Sequence, residues 1–111
     1  MIDWSRVDEL VEEIGAEDFG EVVELFLDEV ENSIGVYAEG ADDAVIAEEQ
    51  MHFLKGAALN LGFEALAQLC LKGEKAAASG RVGVVSPDEL RTTYEGSRDV
   101  FQAELPARLA A

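Results

Sequence analysis

Histidine, lysine and glycine stand at i, i+3 and i+4 in the stretch Met51-His52-Phe53-Leu54-Lys55-Gly56-Ala57-Ala58-Leu59-Asn60-Leu61-Gly62, and His52 is the only histidine among 111 residues. This trio suits phosphoryl chemistry. A neutral imidazole nitrogen is a good nucleophile, and an unperturbed pKa of about 6.5 leaves it mostly neutral at cytoplasmic pH. Lys55 can set positive charge against phosphoryl oxygens. Gly56 removes bulk beside the ring, at a cost of roughly 1 kcal/mol relative to alanine inside a helix. Other chemistries find less support. One histidine and one cysteine make no metal-ligand set. No nucleophile elbow or catalytic-serine motif accompanies the histidine.

A ring that reacts with another protein must face solvent. At about 3.6 residues per turn, Ala47, Met51, Leu54, Ala58 and Leu61 gather on one side of a helix, and His52 projects roughly 140° from the centre of that cluster. It is predicted to be exposed. Glu48 and Lys55 flank it one turn away on either side, and Gly56 lies directly beside it. Val45 and Leu59 share the outward side, and with Glu48 they mark a candidate docking surface. Other readings stay open at this point. Lys55 can pair with a nearby acid, Val45 and Leu59 can meet a neighbouring helix, and Gly20, Gly35 and Gly73 also fall within predicted helices.

The elements that must position this stretch are helical. Apolar residues recur at three- and four-residue spacing almost throughout, with no alternating run and no hairpin signal. A first helix is predicted from about Asp3 to Ile14, with Trp4, Val7, Val11 and Ile14 on one face. A second runs from about Glu17 to Ala38. It carries Phe19, Val22, Val23, Phe26, Val30, Ile34 and Tyr37 inward, and Glu17, Glu21, Glu24, Asp28 and Glu31 outward. The third runs from about Asp43 to Asn60 or Leu61. The fourth spans about Glu64 to Ser79, with Leu66, Leu69, Cys70, Gly73, Ala76 and Ala77 inward. Ser86-Pro87-Asp88-Glu89 reads as a capping box opening the last helix. Leu90, Tyr94, Ser97, Phe101 and Leu105 share its inner face, and Pro106 is expected to end or bend it. The fold class is all-α: an antiparallel four-helix bundle with a short additional N-terminal helix, in one domain over residues 1–111.

Composition bounds the partners. The net charge is −16. Residues 1–50 carry 17 acidic side chains and one basic, while residues 51–111 carry 7 of each. Such a chain repels nucleic-acid phosphates and anionic membranes, so neither is an expected partner. No apolar run is long enough to span a bilayer, and Met1-Ile2-Asp3-Trp4, with no basic region before an apolar core, is not expected to be a secretory signal. The single Cys70 forms no internal disulfide and reads as a buried apolar residue. A cytoplasmic monomer is expected.

The stretch His52–Gly62 resembles the signature of histidine-containing phosphotransfer (HPt) domains, roughly H-x-L-K-G-[SA]-[SA]-x-x-[LIV]-G. The resemblance implies a four-helix bundle with His52 as the phospho-accepting residue. It implies Lys55 as the residue that steadies the phosphoryl group and Gly56 as the clearance that admits a partner. Its implied partners are response-regulator receiver domains and a hybrid or conventional histidine kinase. No cofactor is implied on this chain, Mg²⁺ being expected on the receiver. Some members of the family bring a glutamine from the following helix near the histidine. The nearest position here is Glu74, a repulsive neighbour for phosphate if it points that way. The chain contains no ATP-binding glycine-rich motif and no receiver-type aspartate on a parallel sheet, so a stand-alone carrier is expected. The alternative is an adaptor that docks a partner without phosphorylation. An acidic mimic of nucleic acid is disfavoured, because the acidic stripe on the second helix is the ordinary solvent face opposite a good apolar stripe.

Overall fold

Short polar caps cut the chain into five helices. Asp3 accepts hydrogen bonds from the backbone N–H groups of Ser5 and Arg6 and opens α1 (Trp4–Ile14). Gly15 alone joins α1 to α2 (Ala16–Glu39), and its φ of 95° is backbone that only glycine adopts without strain. Asp43 caps α3 (Ala44–Leu61) through the N–H groups of Val45 and Ile46. Gly62, in the left-handed region, turns the chain into α4 (Glu64–Ala78). Ser86 accepts from the Glu89 N–H and starts α5 (Pro87–Ala110). This computed structural model describes residues 1–110.

Laid end to end at about 1.5 Å per residue, α2 with α3 would span about 63 Å and α3 with α4 about 50 Å, but the body measures only 46 × 20 × 18 Å. Helices of 15 to 24 residues in α2–α5 must therefore run antiparallel along the long axis. The result is the expected all-α bundle with α1 packed alongside it. Among the described residues no helix is long and apolar enough to cross a membrane.

One contiguous core joins all five helices. α3 buries Ala47, Met51, Leu54, Ala58 and Leu61, the five residues on its predicted inner face, and adds Ala57. α4 approaches closely because Gly73 faces Met51: a Cβ on Gly73 would lie 2.8 Å from the Met51 methyl. Cys70 is fully buried beside it, and burial pushes its thiol up to about 12, so it stays protonated and inert. Aromatic rings close the end near α1. Trp4 stacks on Phe101 at 5.8 Å, and Phe63 meets Phe101 edge-on at 5.3 Å. A backbone strap completes that end: Asp3 N–H donates to Gly62 O and Glu64 N–H to Met1 O.

Three sequence expectations need correction. α1 buries Leu10 together with Val7, while Trp4, Val11 and Ile14 are only half-buried, so its inner face is rotated. α2 centres its buried face on Phe19, Val23, Leu27, Val30, Ile34 and Tyr37, leaving Val22 and Phe26 at the margin. Pro106 does not end α5, which continues to Ala110. Proline removes the N–H that would bond Gln102 and crowds that carbonyl, but both residues lie on the exposed side, where water satisfies the freed group.

Candidate functional site

α3 carries His52 on the face opposite its buried stripe, and the side chain is 72% exposed. The predicted outward projection is what the structure shows. One turn along, α3 also presents Lys55, half-buried against α4. The partner of both is Glu74. Its Oε2 lies 2.7 Å from His52 Nδ1 and its Oε1 lies 2.5 Å from Lys55 Nζ. Glu74 stands one residue after Gly73, so the close helix approach at Gly73 brings this carboxylate to the α3 surface.

The electrostatics follow from these bonds. The Lys55 ammonium holds the Glu74 carboxyl below the usual carboxylate range. Burial raises it, and the His52 bond lowers it further. Glu74 is therefore an anion that only accepts. The hydrogen between it and His52 belongs to Nδ1. Nε2 has no hydrogen-bond partner among the described residues.

Gly56 lies beside the ring, and a Cβ there would meet nothing within 4 Å. Packing inside the fold does not require a glycine at this position. Gly20, Gly35 and Gly96 are equally open, so Gly56 is distinguished by its place next to His52. A hollow of about 330 Å³ opens at this point, lined by Phe26, Glu29, His52, Phe53, Gly56, Ala57 and Asn60. Val45 and Leu59 are 63% and 56% exposed on α3, and Glu48 is exposed with them. Val45 and Leu59 are not covered by a neighbouring helix.

Sequence reasoning brought His52, Lys55 and Gly56 together correctly as neighbours. It did not place Phe53, Phe26 or Glu29 at the site. The signal for Phe53 was present, since it adjoins His52 and lies off the α3 core stripe. Glu74 does point toward His52, but it binds the nitrogen across the ring from Nε2, and Lys55 neutralises it. Among the described residues no group of three or more histidine, cysteine, aspartate or glutamate side chains is arranged to hold a metal ion.

A protein-family description, the Hpt domain, matches residues 21–111, from the first turns of α2 to the end of the chain. No curated protein and no solved structure matches the chain.

Proposed function

Because the chain belongs to the Hpt domain family, whose role is phosphotransfer in two-component signalling, we propose that it is a phosphorelay carrier working through His52 Nε2. The observation that supports this most directly is the Glu74 bond to Nδ1, which assigns the proton to that nitrogen and leaves the other one on an exposed side chain beside Gly56.

The transfer balances without a proton leaving the site. The Nε2 lone pair attacks the phosphorus of an aspartyl phosphate on a receiver domain. The P–O bond to that aspartate breaks, and its carboxylate departs with the electron pair. The phosphorylated ring keeps its Nδ1 proton, and its positive charge faces Glu74. In the return step a second receiver's carboxylate attacks phosphorus, and the ring leaves as a neutral imidazole. Lys55 has three N–H donors. One serves Glu74, and the others are available to the phosphoryl oxygens, where positive charge stabilises the transferring group. Val45, Glu48 and Leu59 form the surface on which the receiver or a histidine kinase rests. Mg²⁺ belongs to the receiver's acidic site. The carrier is a cytoplasmic monomer that makes no phosphoryl groups of its own.

The test is transfer of acid-labile label from a phosphorylated receiver domain. Wild-type protein takes the label and His52→Gln takes none. Label on His52→Gln would overturn the assignment. A phosphorylation-independent adaptor using the exposed Val45 and Leu59 predicts instead that His52→Ala leaves signalling unchanged.

A further inference from the structure

A groove of about 490 Å³ runs between α2 and α3, lined by Asp28, Glu29, Asn32, Ser33, Gln50 and Phe53. It shares Glu29 and Phe53 with the hollow at His52, so the two adjoin. Its floor is already satisfied: the Ser33 hydroxyl donates to Gln50 Oε1 at 2.7 Å. Its rim is not. Among the described residues neither Asp28 nor Glu29 takes part in an ion pair. The chain has no lysine or arginine between Arg6 and Lys55, so α2 and the first half of α3 supply no cation. Phe53 is 42% exposed and offers a ring face beside these carboxylates.

We infer that this groove seats a cationic side chain, an arginine or lysine, from the receiver domain that meets His52. The inference rests on the phosphocarrier reading. A protein partner covers about 800 Å² on each side, a disc of roughly 16 Å radius. The groove borders the hollow at His52 through Glu29 and Phe53, so a partner whose aspartate reaches Nε2 over that hollow also covers the near rim of the groove. Two carboxylates covered without a counter-charge would be costly. A cation there satisfies them, stacks on Phe53, and can bond the Gln50 amide oxygen. Arginine fits best, because its planar fork meets ring and carboxylate together. A small-molecule occupant is disfavoured, since such sites are mostly apolar and this rim is charged. The seat sets the register of docking and helps choose among receivers.

The test uses the full chain and a receiver domain that exchanges label with His52. Binding is measured by titration calorimetry at 50 and 500 mM NaCl for wild type, Asp28→Lys/Glu29→Lys, and the equal-charge control Glu12→Lys/Glu104→Lys. The groove variant is expected to lose at least tenfold in affinity at low salt and less at high salt, while the control changes under threefold. Reversing one basic residue on the receiver's docking face to glutamate is expected to restore binding to the groove variant. Equal losses in both variants would reduce the effect to net charge and overturn the seat, and so would wild-type affinity in the groove variant. Self-association of the wild type that the groove variant abolishes would assign the groove to a second copy instead. The phosphocarrier reading fails separately, through label on His52→Gln, whatever the groove variant does.

Discussion

Two carboxylates in this molecule each join a ring to a cation, with opposite chemical results. Glu74 takes His52 Nδ1 and Lys55 Nζ at the α3–α4 surface. Glu31 on α2 accepts the Tyr94 hydroxyl at 2.6 Å and lies 3.8 Å from Arg98, whose guanidinium sits over the Tyr94 ring. The difference is in what remains free. Tyr94 is buried, its one hydroxyl is spent on Glu31, and burial, with Glu31 adding to it, pushes the phenol up, so it does not ionise. That trio braces α5 against α2. His52 has a second nitrogen on an exposed ring, and the bond to Glu74 decides which nitrogen that is. A carboxylate–ring–cation group is a brace when the ring is inside. It leaves a ring nitrogen exposed and unbonded when the ring is outside and bifunctional.

The comparison breaks most completely at His52. His52→Gln should lose all phosphoryl acceptance while circular dichroism stays unchanged and the thermal midpoint moves little, because the side chain contributes nothing to the core and only an exposed bond to Glu74. Glu74→Gln is the next largest. It replaces a charge-assisted bond by a neutral one, a difference of about 1–2 kcal/mol, so the transfer rate should fall about 10-fold with His52 still labelled. Stopped-flow or rapid-quench transfer from a phosphorylated receiver reads this directly. A rate equal to wild type would place Glu74 with Glu31 as a brace only.

Tyr94→Phe should do the reverse. It removes one hydrogen bond and is expected to cost about 1 kcal/mol, or about 4 °C in Tm, with transfer within twofold. The smallest effect is on titration. Glu74 is depressed in the fold, so its bonds stabilise the protein above its unfolded pKa of about 4.3. That stability is lost as pH falls through the lower folded value. Lys55→Ala should raise the Glu74 midpoint toward the ordinary range, more than His52→Gln does, because the Lys55 bond is the larger cause. Carboxyl-carbon NMR of Glu74 measures both. The Lys55 variant should be less stable than wild type at pH 7 by at most about 1 kcal/mol and equal to it once Glu74 is protonated.

Most of the fold was legible because a strong local signal agreed with the tertiary answer. α3 kept each residue of its predicted inner stripe, and Ser86 caps α5 as the Ser86–Glu89 spacing required. The two misread helix faces share one cause. Leu10 and Leu27 lie at the edge of stripes that were centred one residue away. A helix shows its apolar arc in sequence, but the neighbours decide how it is rotated about its axis. Val85 is a further case. It sits in the connection before α5, has no periodic pattern around it, and is buried because its carbonyl accepts the Tyr37 hydroxyl at the end of α2. At the site, Phe53 adjoins His52 in sequence yet matters through Phe26 and Glu29 of α2, a meeting that no local pattern states.

The sequence by itself determined that His52 faces solvent, that Lys55 and Gly56 flank it, and that the opposite face is core. These follow from a period of about 3.6 residues and from which side chains avoid water. The tertiary structure alone decided the nitrogen. Glu74 is 22 residues from His52, on a separate helix whose approach depends on a missing side chain at Gly73 meeting Met51. Only once α3 and α4 are packed does a carboxylate reach Nδ1, hold a proton there, and leave Nε2 without a hydrogen-bond partner among the described residues.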